Sequence, residues 1–294
     1  MTLDVARLMT AQIPPGRQTP TARDAILYAI SVGYAGQIEP PEDLSPIYEP
    51  VLKPVPTYAN VLAPSVGGWF RESGIDVAKV VHAEQRLTLH AEIPIGAELE
   101  GRSRMLSVVD RGAGKGMFAS FERQIFGPDG QPVATIVHTN ACRGDGGCGG
   151  AGEPPEPLAR APERRPDQEV DVAIPHMAAT LYRLNGDLNP LHIDPVFAAK
   201  GGFQRPILHG LCTFGYAGYA ISLVAPAWGL GALAAIAARF SAPFFPGETL
   251  RTELWNEGAK IRFRCRSVER DVIVLDSGAA SLSRVEPADQ RLIR

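Results

Sequence analysis

The chain has 294 residues, 45% of them hydrophobic and 21% charged, a composition that supports a packed core and excludes a wholly disordered protein. Its 29 lysines and arginines stand against 32 aspartates and glutamates, a net charge of −3, so no basic excess exists to neutralise a run of phosphates and no nucleic-acid partner is expected. The four cysteines, Cys142, Cys148, Cys212 and Cys265, form no C-x-x-C pair and are too few for a disulfide scaffold, which fits a reducing, cytoplasmic setting.

Asp4 and Arg7 fall where a secretion signal would be continuously apolar, so none is expected. An apolar helix is predicted around Val61 to Phe70, ahead of Ala91-Glu-Ile-Pro-Ile-Gly96-Ala-Glu-Leu99. Alternating β-formers at Arg104 to Asp110 and Met117 to Phe126 then flank a Gly112-Ala-Gly114 turn, the pattern of a hairpin. Residues 144–166 are dense in glycine and proline and read as a linker between a first half, 1–143, and a second, 167–294, each of domain size. In the second half, Leu211 to Val224 predicts a helix that is apolar nearly all round and must be covered on most sides. Ala242-Pro-Phe-Phe-Pro-Gly247-Glu-Thr-Leu250 parallels the Ala91 segment, and Leu250 to Trp255, the Asn256-Glu-Gly258 turn and Ile261 to Val268 predict a second hairpin. Helix followed by antiparallel strands thus occurs twice, the mark of a duplicated α+β domain. The longest apolar region, Ala217 to Ala238, is broken by Pro226 and by Gly218, Gly229 and Gly231, so no membrane span is expected.

The chemistry concentrates in Tyr182-Arg-Leu-Asn-Gly-Asp187-Leu-Asn189-Pro190-Leu-His192-Ile-Asp194-Pro195. Asn185-Gly186 and Asn189-Pro190 are turn formers, so Asp187 and His192 sit on a tightly folded loop where a carboxylate and an imidazole can converge and deprotonate a water. Asn189 can add a neutral hydrogen bond. Taken singly, these residues also suit a turn cap and a half-buried histidine; together they mark a site. In Arg205-Pro206-Ile-Leu-His209-Gly210-Leu-Cys-Thr-Phe, Gly210 begins the predicted second helix, where an unpaired N–H and the helix dipole favour developing negative charge. A plain glycine cap accounts for Gly210 equally well.

The Tyr182 to His192 loop resembles the signature of the type 2, or (R)-specific, enoyl-CoA hydratases of the MaoC-like hot-dog superfamily. The resemblance extends to Ile207-Leu-His-Gly-Leu-Cys-Thr-Phe-Gly215, to Ala238-Arg-Phe-Ser-Ala-Pro-Phe-Phe-Pro-Gly-Glu-Thr-Leu250, and in the first half to Ile47-Tyr-Glu49 and Val81-His-Ala-Glu-Gln85, which look like the two-domain eukaryotic form. It implies an α+β fold of two tandem hot-dog domains, each a long helix wrapped by an antiparallel β-sheet. The first, with Val55-Pro-Thr-Tyr-Ala-Asn60 and no Gly-Asp-x-Asn-Pro-x-His, would be degenerate and make room for an acyl tail; only the second would be catalytic. The implied activity is reversible syn hydration of trans-2-enoyl-CoA to (3R)-3-hydroxyacyl-CoA, on medium or long chains, in fatty acid metabolism such as β-oxidation. The implied roles place Asp187 and His192 on the water and the proton, Asn189 beside them, the Gly210 N–H on the thioester oxygen, and CoA contacts at His82, Ala83, Arg111 and Arg239. The CoA thioester is then the substrate, no cofactor is needed, and a homodimer is the expected assembly.

Two other functions share part of this pattern: dehydration of a 3-hydroxyacyl carrier protein, and non-catalytic acyl-CoA binding, against which the Asp187, Asn189, His192 and Gly210 set weighs. His192, His209 and Cys212 match no zinc-ligand spacing, so no metal is expected. Gly144-Asp-Gly146-Gly-Cys-Gly149 has the form G-x-G-x-x-G, but the Gly150-Ala-Gly-Glu-Pro-Pro that follows cannot open the helix a pyrophosphate requires.

Overall fold

The structure, a computed structural model, describes residues 3–35 and 43–284. The first half supplies β1 (Gly16–Gln18), β2 (Val80–Leu89), β3 (Leu99–Asp110), β4 (Met117–Phe126) and β5 (Pro132–Cys142), and a two-residue β6 (Ala151–Gly152) follows. The second half supplies β7 (Gln168–Ala173), β8 (Leu230–Phe240), β9 (Thr249–Asn256), β10 (Lys260–Ser267) and β11 (Val272–Arg284). They make one sheet in the order β1-β3-β4-β5-β2-β8-β11-β10-β9-β7, with β6 against β3. Outward from the β2–β8 pair, both halves run in the same order. The duplication seen in the sequence is therefore a pseudo-two-fold symmetry of the sheet, and both expected hairpins are present. The seam pairs are antiparallel and run from Glu84 with Arg239 to Thr88 with Ala235.

Among the described residues, six α-helices accompany the sheet: α1 (Val5–Met9), α2 (Ala22–Ser31), α3 (Val66–Glu72), α4 (Ala178–Tyr182), α5 (Pro195–Lys200) and α6 (Gly210–Val224). The long α6 is the hot-dog helix of the second half, and every residue from Cys212 to Ile221 is buried, as its all-round apolar character requires. At Gly215 a Cβ would fall 2.5 Å from Cγ1 of Val32, so glycine lets the end of α2 lie directly on the helix.

The first half keeps the hot-dog sheet but not a long helix. In place of the helix expected over Val61 to Phe70 there is a 3-10 turn, Pro56–Val61, and then the seven-residue α3. Pro64 has no N–H to continue a helix and disfavours the helical conformation at Ala63, which takes φ 43° instead. Thr57, Tyr58, Ala59 and Asn60 of the 3-10 turn are nonetheless buried.

The main core joins both halves through Tyr28, Tyr58, Leu87, Tyr182, Phe214 and Phe263. A smaller cluster under the first half gathers Leu8, Met105, Met117 and Phe121, with Trp69 and Phe70 of α3 packed on it. The segment between the halves is tied down along its length: the Asp110 carboxylate accepts the N–H groups of Gly147 and Gly149, Arg86 donates to the Glu156 carbonyl, and Trp255 Nε1 donates to the Arg164 carbonyl. Among the described residues no helix is long and apolar enough to cross a membrane, and all four cysteines are free thiols.

Candidate active site

The loop after α4 is shaped by its own side chains. A 3-10 turn, Arg183–Asn185, ends at Gly186 with φ 112°, a left-handed conformation glycine adopts freely. The Asp187 carboxylate accepts the Asn189 N–H at 3.1 Å, and the Asn189 side-chain Oδ1 accepts the Leu191 N–H at 3.0 Å. These two successive side-chain turns lead into the 3-10 turn Pro190–His192, and Asp194 caps α5. Asn189 thus shapes the loop that carries Asp187 and His192.

His192 is fixed from its far side. Its Nδ1 lies 2.9 Å from the Ile207 carbonyl oxygen, which can only accept, so Nδ1 carries the proton and Nε2 presents a lone pair. Burial pushes its pKa below the ordinary imidazole value, while the Ile207 carbonyl and the Asp187 charge pull it partly back. His209, buried just before α6, stacks on His192 with ring centroids 3.7 Å apart and places Nε2 3.2 Å from the Asp187 backbone oxygen. Burial and the neighbouring His192 bring its pKa down to about 4, so both rings are neutral near pH 7. One ligand-type atom from each of Asp187, His192 and His209 lies within 4.8 Å of the others. The spacing brings a carboxylate and two neutral imidazoles to one point, suited to holding a water and moving its proton.

Gly210 is the first residue of α6, so the helix itself does not use its N–H. A Cβ there would fall 3.0 Å from Cε1 of Phe240, and the Phe240 ring stands 4.6 Å from that of His82 across the seam. His82 donates from Nε2 to the Glu84 carbonyl at 3.0 Å, and burial lowers its pKa to about 4, partly offset by the Asp187 charge. The first half thus contributes His82 to a site otherwise built by the second.

The structure brings together Asp187, Asn189, His192, Gly210 and His82, but not the other sequence-predicted residues. Ala83 is the extra residue of a β-bulge between the His82–Asn140 and Glu84–Thr139 pairs. Arg239 precedes the inward-facing Phe240 and so points to the opposite face of the sheet, where Nε and Nη2 bind the Glu84 carboxylate at 3.0 and 2.6 Å. Arg111 is exposed beyond β3, three strands from β2, with its guanidinium over the Phe118 ring. Sequence reasoning left His209 and Phe240 out of the site. Phe240 could have been found from strand alternation beside Arg239; the stacking of His209 carries no sequence signal.

Comparison with known proteins agrees with this architecture. Residues 19–144 match the model of the MFE-2 hydratase 2 N-terminal domain, and residues 157–277 match that of the MaoC-like domain. The chain is 38% identical over 269 residues to 3-hydroxyacyl-thioester dehydratase Y of Mycobacterium tuberculosis, covering 88% of this chain and 91% of that one. The chain belongs to the MaoC-like family. Enoyl-CoA hydratase ChsH3 of the same organism is 35% identical to this MaoC-like protein over 285 residues, covering 95% and 98% of the two chains. A MaoC-like dehydratase from Phytophthora capsici superposes with a TM-score of 0.82 at 28% identity, covering 96% of this chain and 99% of that one.

Proposed function

We propose that this MaoC-like protein is an (R)-specific enoyl-CoA hydratase, adding water reversibly and syn to trans-2-enoyl-CoA to give (3R)-3-hydroxyacyl-CoA in fatty acid metabolism. The observation that carries the reading is the convergence of the Asp187 carboxylate and the neutral His192 in a loop beside the Gly210 N–H, in a chain whose relatives are named for this hydration and its reverse.

Asp187 and His192 Nε2 hold the water. As its proton passes to this pair, its oxygen bonds to C3 of the enoyl group, and the electron pair of the C2–C3 double bond moves toward the thioester carbonyl. The Gly210 N–H receives the charge that develops on that oxygen; one such donor is worth about 3 kcal/mol in a water-excluded site. A proton returned to C2 completes the product, so water is added and nothing leaves. Asn189 keeps Asp187 and His192 in register by holding the turns between them. The reaction transfers no electrons and takes the CoA thioester as substrate, so no cofactor and no metal is required.

The division of labour follows the two halves. Residues 167–294 provide the reacting groups and residues 1–143 accommodate the acyl tail, a role supported by the short helical pieces that replace a long helix there. Medium or long chains are the substrates, and activity confined to four carbons would overturn this. Exposed Arg111, on the sheet end that carries His82, is the residue available for CoA phosphate; Arg239 is already engaged by Glu84. We place the protein in the cytoplasm as a homodimer; a monomeric mass by light scattering would remove the dimer.

The test follows the ultraviolet band of trans-2-enoyl-CoAs of graded length in buffer containing a chelator. The wild-type protein is expected to abolish the band and Asp187→Asn to leave it. Persistence of the band with every CoA substrate, alongside turnover of carrier-protein thioesters, would favour the dehydratase of carrier-bound substrates.

A further inference from the structure

Beyond His82, the inward face of the first half carries an unusual group of buried polar side chains. Inward positions across β2, β5 and β4 can be traced by register: His82 lies opposite Asn140 and then Ala119, while Leu87 lies opposite Ile136 and then Arg123. Arg123 therefore sits four residues, about 13 Å at 3.3 Å per residue, along the strand from the level of His82. The groups between are continuous. Asp187 acts on His82; the His82 ring is 6.0 Å from that of His138; and His138 stacks on Phe121 and feels the Arg123 charge.

Arg123 is only 9% exposed, and among the described residues no carboxylate forms an ion pair with it. Its Nη2 donates to the Asn60 carbonyl at 2.6 Å, while its Nε has no acceptor. Asn60 and Gln85 share one amide hydrogen bond at 2.6 Å, leaving Asn60 Nδ2 and Gln85 Oε1 unpartnered; exchanging the amide atoms of both residues still leaves one N–H and one carbonyl free. A guanidinium buried without a counter-charge is costly, and burial alone pushes its pKa down to about 10. Among the described residues no carboxylate offsets this cost, whereas the unpartnered Arg123 Nε and Asn60 Nδ2 donors match the two oxygens of a carboxylate.

We propose that Arg123, with Asn60, is a specificity site for an acyl tail that ends in a carboxylate, so that the preferred substrates are ω-carboxyacyl-CoA thioesters of medium length. The tail runs from the Gly210 end of α6 past His82 and His138 into the first half, and its terminal carboxylate supplies the missing counter-charge to Arg123. This assignment rests on the acyl-CoA reading of the active site. It also implies a place in a reaction sequence: the supplier must be an oxidation that converts the terminal methyl of a fatty acyl chain into a carboxylate before the thioester reaches this protein.

The experiment measures binding, so that it does not depend on turnover. Calorimetric titrations compare saturated ten-carbon acyl-CoA thioesters ending in a methyl or in an ω-carboxylate, against wild type, Arg123→Lys and Arg123→Met. Wild type is expected to bind the carboxylate-ended thioester about tenfold or more tightly, the scale of a hydrogen bond to a charged group, with the preference reduced in Arg123→Lys and abolished in Arg123→Met. The ratio within each protein is insensitive to the fraction folded, and if Arg123→Met does not fold, the wild-type and Arg123→Lys ratios decide. Equal affinity of wild type for the two thioesters, or a preference that survives in Arg123→Met, overturns the assignment. Failure of hydration with Arg123-dependent binding intact would instead count against the hydratase reading alone.

Discussion

Asp187 is exposed, and the hydrogen bond its side chain makes is with the Asn189 N–H, so its removal separates chemistry from folding. Asp187→Asn retains an oxygen acceptor for that turn and is expected to lower kcat by about 10²–10⁴ with an unchanged melting temperature, measured by the loss of the enoyl-thioester band and by calorimetric melting. A parallel fall in melting temperature would assign Asp187 to the fold. His192 must be neutral to take a proton. Because burial lowers its pKa below 6.5, the acid limb of the activity profile should lie below pH 6.5; a limb at or above that value would contradict the buried, Ile207-bound arrangement. That Asp187, Asn189, His192 and Gly210 lie together was legible in the sequence because a short loop and a helix start are local structures. Arg239 was not, since its direction depends on strand phase, which places Phe240 toward the site and Arg239 against Glu84.

The elements were legible where one short-range rule governs them. Both hairpins and the long α6 follow from alternation, turn glycines and all-round apolarity. The helix expected over Val61 to Phe70 failed because Pro64 outweighs the apolar pattern on either side of it. The crossing of α2 over α6 depends on Gly215, and a larger side chain there must displace Val32. Gly215→Val is therefore expected to cost about 1–3 kcal/mol by overpacking, read as a shift in the denaturant midpoint. A neutral result would show that α2 moves freely on α6. At the start of the same helix, Gly210→Val pushes into the Phe240 ring and should reduce activity while the protein stays folded, as circular dichroism would show.

At the scale of the whole molecule, the β2–β8 seam makes the site a joint product of the two halves, with His82 from one facing Phe240 from the other. The seam itself was not legible, because edge-to-edge pairing leaves no local pattern. Burying the histidines has a consequence for stability. His82, His138 and His209 have pKa values of about 4, 3 and 4 in the folded protein, against 6.5 for an ordinary imidazole. As pH falls below 6.5 the unfolded chain takes up protons that the folded one refuses, so stability present above that value is lost progressively down to about pH 3–4. Equilibrium unfolding between pH 7.5 and 4 tests the sign: a midpoint that rises on acidification would contradict the buried, neutral state of these rings. An (R)-specific site must present one face of the enoyl group to the water held by Asp187 and His192. Presenting the hydration product to an (S)-specific 3-hydroxyacyl-CoA dehydrogenase with NAD reads that face directly. Consumption of the enoyl thioester with no NAD reduction is expected; NADH formation in step with hydration would overturn the (R) assignment.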